Sequence, residues 1–492
     1  MKSETKTVSY LPGFIIWITA EFVITDPVFS YLLAWAGSFF IFYWTIFSNF
    51  RYINNDLPLK DQVLRPIVIV QIIFAGFMCC TSIFYFLNHL GYRYLEKTDF
   101  GVDIPNSQTY IIAQCQRLGL LAHASLVAGI ILLSYQKEKN LRKNVIAPDV
   151  DIDNFLGKFS VITFLGAIAI RFVPGFSQFS EGLTSISVFA GTFLLVKGLV
   201  NKNKKLLYLG AGLFFSNLVK ATLSGFKEPI LMSLIILGCL LFPVYKKFTL
   251  YVGIPLLYGL LYILPTYVGV MRTQSWSGDT SAEESRTIAI DTLLDVDNAA
   301  LIEDTNWAFL TGRISEINMF TQFVNNTPQF TDYYGFEIVV ESLYALIPRV
   351  LWEDKPSTEE ISMKRVYAAG VISENSIVSA KTRPIVDAYL SFGTVGVFIF
   401  FILIGIIAQG LCNTCENIYG GYQFGTVIVM GTFSNTLWRG NNFEFMFNSL
   451  FYGYILVLII NGILKLFKIL KPLEFPTYAN QDIFLSKTDE SK

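Results

Sequence analysis

Apolar residues fill most of 8–271 and return over 385–470, and between them lies a polar stretch of 113 residues, 272–384. A helix needs about 20 apolar residues to cross the hydrocarbon core of a bilayer. On that measure the pattern predicts twelve spans: 8–25, 28–49, 65–88, 108–134, 158–176, 182–200, 205–222, 229–246, 249–271, 385–410, 420–437 and 446–466. The second begins after Asp26-Pro27, where proline stops a preceding helix. The expected fold is therefore an all-α polytopic membrane protein of about twelve transmembrane helices. Its parts are spans one to nine (1–271), a large and mainly helical loop domain (272–384), spans ten to twelve (385–470) and a tail (471–492). Within the loop, 307–324, 336–346 and 359–369 are predicted helical. In the second of these Ile338, Val339, Leu343 and Leu346 are expected to pack on the membrane part.

Composition agrees with the pattern. Only 15% of the 492 residues are charged, where a soluble domain carries about 25%. The net charge of −1 gives no footprint for nucleic acid, and two histidines leave little room for a histidine metal site. No cofactor or metal is expected. The six cysteines lie outside the 272–384 loop, so no disulfide framework is expected there, and Cys412-x-x-Cys415 reads as plain thiols. The charged start, Met1 to Lys6, leads into an apolar run without an Ala-x-Ala site, which reads as a retained first helix.

Lysine and arginine then set the orientation. Arg51/Lys60/Arg65, Lys137/Lys139/Arg142/Lys143, Lys202/Lys204/Lys205, Lys246/Lys247 and the 465–471 tail all fall on one face when there are twelve spans. That face is cytoplasmic, both termini lie on it, and the loop is external.

Ionisable residues within spans are costly and usually face a partner or a cavity. Arg117 lies about nine residues into the fourth span, roughly 13 Å deep, too far from either interface to snorkel easily. Gln114, Gln116 and His123 share its helix, consistent with a polar cavity, although a lone buried histidine is more often a packing residue. Arg171, Lys220, Lys227 and Arg439 gather at the outer ends of spans, where snorkelling is the plain structural account for Arg171 and Lys220. The loop adds nine cations, among them Arg313, Arg349, Lys355 and Arg383, against seventeen carboxylates. An acidic domain with selected arginines suits discrete ion pairs or discrete anion contacts, and the planar guanidinium fork fits phosphate oxygens. Glu337 and Glu341, four residues apart, share a helix face, which a solvated surface would also explain.

Three stretches carry a resemblance. Leu346-Ile-Pro-Arg-Val-Leu-Trp-Glu-Asp-Lys-Pro-Ser, followed by Arg383-Pro-Ile-Val-Asp-Ala-Tyr-Leu-Ser-Phe-Gly393, resembles the bacterial O-antigen polymerase family, the Wzy-type oligosaccharide repeat-unit polymerases. Ser224-Gly-Phe-Lys227 is similar to that family's Ser-Gly-x-Arg turn, with lysine in place of arginine. The resemblance implies a metal-independent glycosyltransferase of the inner membrane, acting at its periplasmic face on undecaprenyl-pyrophosphate-linked oligosaccharides. Membrane lipid would be its surroundings, and a polysaccharide chain-length regulator is a further partner to test. Preorganised cations would stabilise the pyrophosphate leaving group, and a carboxylate would take the acceptor hydroxyl's proton. On this reading Glu341 and Arg349 are catalytic, with Glu316 and Asp387 as further candidate bases. Arg117, Arg171, Lys227, Arg313, Lys355, Arg383 and Arg439 would bind pyrophosphate or sugar.

Other readings compete. O-antigen ligases share the layout but carry an important histidine in the large loop, and this loop has none. A lipid-oligosaccharide flippase would use the same cations without needing a folded loop. A glycosyltransferase with an acidic pair in its first external loop would use Glu21 and Asp26. A scaffold would leave the buried cations unexplained.

Overall fold

The computed structural model describes residues 10–473 except 11, 49–51, 53–56, 59–60, 94–95, 98–105, 135–142, 174–175, 177, 224–226, 278–280, 313, 349–350, 353, 376–379 and 434–440. The fold is all-α. In chain order the helices are α1 (Pro12–Phe22), α2 (Pro27–Phe47), α3 (Pro66–Val70), α4 (Ser82–His89), α5 (Ser107–Ser134), α6 (Ile152–Ile170), α7 (Gln178–Val200), α8 (Lys204–Leu223) and α9 (Lys227–Leu241). Then come α10 (Lys246–Phe248), α11 (Ile254–Ser277), α12 (Ala282–Leu294), α13 (Ala299–Gly312), α14 (Ile317–Asn326) and α15 (Glu337–Tyr344). The last four are α16 (Thr358–Ala368), α17 (Pro384–Ile418), α18 (Tyr422–Phe433) and α19 (Phe443–Leu466). Strands among the described residues are two or three residues long.

Nine helical stretches among the described residues are long and apolar enough to cross a membrane. They are α2, α3 to α4 taken together, α5, α6, α7, α8, α10 to α11 taken together, α17 and α19. The first, eighth and eleventh expected spans correspond to shorter apolar helices, α1, α9 and α18.

The chain divides into two compact units. The first comprises the described residues within Met1–Asp56, Arg65–Ile146 and Ile314–Asn480, and the second those within Leu57–Leu64 and Ala147–Arg313. The 272–384 segment, expected as one domain, is shared between them: α12 and α13 belong to the second unit, α14, α15 and α16 to the first. The expected 307–324 helix is in fact the end of α13 and most of α14, broken where Glu316 takes a left-handed backbone, φ 54°. Few residues with a side chain tolerate that conformation, so the break is a specific one.

In the first unit α5 is the central helix, packed by α17, α2 and α1. It is apolar or small on nearly every face, as a fully enclosed helix must be. Gly129 and Gly405 bring α5 and α17 together: a Cβ on Gly405 would lie 2.2 Å from the Leu126 carbonyl oxygen. Such small-residue crossings let membrane helices approach closely. Between α3 and α4, Gln71–Cys80 winds as a π-helix, with Thr81 N donating to Gly76 O five residues back. The wider turn leaves the Cys79 and Cys80 carbonyls to side chains, and they accept from Gln116 Nε2 and Trp35 Nε1.

In the second unit α7 is the enclosed helix, flanked by α6 and α8. By contrast α11 exposes Ile254, Leu256, Tyr258, Tyr262 and Ile263 along its first half, while Leu264, Val268 and Met271 are buried.

Candidate functional site

The first unit holds a buried arginine ringed by three carboxylates. Its carrier, α16, starts at a capping box: Ser357 Oγ accepts from Glu360 N, and Glu360 Oε2 accepts from Ser357 N. Both orphan donors are thereby satisfied, which fixes the helix and turns Ile361, Arg365 and Val366 inward. The Arg365 guanidinium is 2% exposed. It lies 2.7 Å from Glu444 Oε1, with Nη2 donating to Glu444 Oε2 at 3.0 Å. It also meets Asp387 Oδ1 at 3.3 Å and Glu341 Oε2 at 3.3 Å. Four elements therefore converge: α15, α16, α17 and α19.

Helix ends help carry the excess negative charge, formally −2 for three ionised carboxylates and one guanidinium. Asp387 and Glu444 lie in the first turns of α17 and α19, where the partial positive charge of the helix start stabilises an anion. Asp387 Oδ2 accepts from the Phe443 backbone N–H at 2.8 Å, which ties those two helix starts together. Glu341, near the middle of α15, has no such help. Burial pushes its carboxyl above the usual range, with Arg365 pulling the other way. For Arg365, burial opposes the charge, but Asp387, Glu444 and Glu341 outweigh it, and its pKa is raised. Asp387 and Glu444 are wholly enclosed, whereas Glu341 is 24% exposed. Only Glu341 of the three can therefore meet a substrate group. Among the described residues no three His, Cys, Asp or Glu side chains are grouped so as to hold a metal ion.

The kinked start of α17 aims Asp387. Its helical path is interrupted at Phe392 and at Gly393, whose φ of 62° and ψ of −140° suit glycine. The carbonyls freed there are used: Leu390 O accepts from Tyr334 N, and Ser391 O from Gly335 N. The Asp-Ala-Tyr-Leu-Ser-Phe-Gly run thus reads as a short helix, a glycine kink, and then the span.

Most of the expected anion-binding cations have partners inside the protein. Arg117 is buried beside Glu21, Nε to Oε1 3.0 Å, and its Nη1 donates to Ser30 Oγ. Arg383 grips Glu316 with Nε and Nη2, and its guanidinium lies 5.3 Å from the centre of the Phe77 ring. Lys355 Nζ donates to the Ala345 and Ile347 carbonyls. In the second unit Arg171 Nε donates to Ser180 Oγ, while the residue as a whole stays exposed. Lys227 opens α9, and its side chain is outside the described residues, as are Arg313, Arg349, Arg439 and the Ser224-Gly-Phe part of its motif. The carboxylates fare better as a set. Glu341 and Asp387 share Arg365, while Glu316, in the same unit, is taken by Arg383.

Gln116 and His123 on α5 are held in hydrogen bonds within the unit. Ser82 Oγ, Gln116 and Tyr31 OH form one hydrogen-bonded set. His123 Nε2 pairs with Gln71 Oε1, and Gln71 Nε2 reaches Thr45 Oγ1. The acidic pair of the first turn is likewise structural. Asp26 caps α2 by accepting from Phe29 N, and Glu21 holds Arg117.

Arg365 and Glu444 were not among the residues the sequence singled out. Glu444 falls two residues outside the expected 446–466 span and so passed as a flanking charge. Counted inside α19, it is a buried ionisable residue in a membrane helix, which is the signal for a site.

Residues 15–472 match a family model described as "Domain of unknown function (DUF8712)". The chain belongs to the DUF8712 family. No curated protein and no solved structure matches it. The DUF8712 match takes in both units and all four elements around Arg365. What the DUF8712 chain does has to be argued from that chemistry.

Proposed function

We propose that this DUF8712 protein is a membrane glycosyltransferase that polymerises lipid-pyrophosphate-linked oligosaccharide repeat units, as the resemblance to O-antigen polymerases implies. The observation that carries the reading is Glu341: a partly exposed carboxylate with its pKa raised by burial, braced by Arg365 against two enclosed acids. A raised pKa suits a group that takes a proton from a sugar hydroxyl near neutral pH.

In the proposed reaction Glu341 accepts the acceptor hydroxyl's proton as that oxygen attacks the anomeric carbon of the donor sugar. The bond from that carbon to the pyrophosphate oxygen breaks, and undecaprenyl pyrophosphate leaves with the electron pair. Arg349, next to Pro348 in the Leu346–Pro348 motif, is the cation assigned to the leaving group. Arg117, Arg383 and Lys355 are assigned structural roles instead, because each already holds a partner.

The proposed setting is the inner membrane with twelve spans, α1, α9 and α18 completing the nine longer ones. Both termini are then cytoplasmic and the 272–384 segment enters from the periplasmic side, an arrangement supported by the basic connections, which all fall on one face.

The test uses purified protein with lipid-linked repeat units and no nucleotide sugar. Lengthened chains are expected from the parent, and at least a hundredfold less product from Glu341→Gln at normal protein level. Movement of repeat units across vesicles without lengthening would sink the reading in favour of a flippase.

A further inference from the structure

The apolar character of α15 does not stop at the protein. Ile338, Ser342 and Ala345 face inward, while Phe336, Val340, Leu343 and Tyr344 on the opposite side are exposed, as is Leu351 just beyond. In water a helix so apolar on its outer face is unfavourable. The position of α15 along α19 explains it. Near its middle, Glu341 meets Arg365 beside Glu444, in the first turn of α19. At its end, the Leu346 carbonyl accepts from Tyr452 OH at 3.1 Å. The helix therefore runs alongside α19 from its first turn inward.

Depth follows from length. The 24 residues of α19 make a helix about 36 Å long, and a hydrocarbon core is about 30 Å thick and takes about 20 residues. Tyr452 falls inside that core whichever 20 residues occupy it. Backbone at such a depth must find its hydrogen-bond partners within the protein, and the end of α15 does. The Ala345 and Ile347 carbonyls accept from Lys355 Nζ, Leu346 O accepts from Tyr452, and Pro348 O accepts from Leu351 N and Trp352 N. At the other end Phe336 packs on Phe392 at the kink of α17, ring centres 4.8 Å apart. Both neighbouring spans also carry exposed aromatic residues, among them Phe398 on α17 and Phe451 on α19.

We propose that α15 and the turn after it form a re-entrant segment, sunk into the leaflet where α17 and α19 begin, with Phe336, Val340, Leu343, Tyr344 and Leu351 against lipid acyl chains. Lys355 then acts as an internal cap, its ammonium replacing the water that would satisfy these carbonyls at a surface. This placement holds whatever reaction the protein performs. It goes beyond the sequence expectation, in which the whole 272–384 segment stands outside the bilayer.

The test is spin-label accessibility in phosphatidylcholine vesicles, using a cysteine-free full-length variant labelled at Leu343→Cys or Leu351→Cys. Leu458→Cys on the outer face of α19 serves as the lipid control and Glu359→Cys on α16 as the water control. The expected result is strong relaxation by oxygen and weak relaxation by a water-soluble nickel chelate at 343 and 351, as at 458. Nickel accessibility equal to that at 359 would overturn the proposal. Should the cysteine-free chain not fold, Leu343→Trp in the cysteine-containing protein gives a second reading. Its added fluorescence should be quenched by brominated acyl chains; quenching by aqueous acrylamide alone would refute the placement.

Discussion

Replacing Arg365 by glutamine removes the guanidinium that Glu341, Asp387 and Glu444 share and keeps most of the side-chain volume. The lost contacts are 2.7–3.3 Å long. Removing one partner of a buried ion pair costs about 3–5 kcal/mol, because the other charge stays buried, and here three carboxylates are left facing one another. Arg365→Gln should therefore destabilise by at least that amount at pH 7.5. The penalty should also depend on pH. Burial already raises the Glu341 pKa in the fold, and Arg365 opposes the rise; without it the folded-state pKa climbs further above the unfolded value. The folded variant then binds a proton that the unfolded chain gives up, so stability falls as pH rises through the folded pKa and recovers as pH falls. Unfolding in mixed micelles with increasing sodium dodecyl sulfate, at pH 5.5 and pH 8, measures both effects. A double-mutant cycle with Glu444→Gln isolates the coupling, expected to exceed about 1 kcal/mol for groups sharing one network. Strictly additive losses, equal at the two pH values, would refute the idea that Arg365 holds these acids as one unit.

Two further substitutions probe the packing that carries this cluster. Gly405→Val places a Cβ against Leu126 O, Ile130 N and Gly129 Cα, all backbone at 2.2–3.1 Å, so α5 and α17 must part. A loss of about 1–3 kcal/mol is expected, whereas Gly462→Val, whose Cβ has nothing within 4 Å, should be silent in the same unfolding titration. Gly393→Ala adds backbone strain of about 1–3 kcal/mol and a Cβ 2.8 Å from Tyr333 OH. Tyr333→Phe should restore part of the stability but not all, and full restoration would show that the glycine conformation is not what matters there.

Membrane helices were legible because each is a run of apolar residues with little other meaning; nine of the expected spans recur, seven of them within four residues at each end. The shorter α1 and α9 reveal what hydropathy averages over: an apolar run includes its turns, here 23–25 and 242–244. The broken 307–324 helix shows a second limit, since Glu316 carries no mark of its left-handed backbone beyond Arg383 gripping it from 67 residues away. Candidate cations were readable as unusual, but not as paired. Charge in a span says only that a partner exists, and Glu21 for Arg117 lies on another helix. Glu341 and Asp387 were readable as acids of interest. Arg365 was only one of nine cations in the loop, and nothing local marks it as the residue joining four elements.

The crossing of α5 by α17 bears on how the protein is made. About 250 residues separate the end of α5 from the start of α17, which at 5–20 residues per second is roughly 12–50 s of synthesis. Throughout that interval α5 sits in the membrane without its closest neighbour. Its polar side chains do not wait: Arg117, Gln116 and His123 find Glu21, Ser30, Ser82 and Gln71, all already synthesised. Only an apolar, glycine-notched face stays open for α17, and lipid can cover that face without cost in hydrogen bonds until the late helix displaces it.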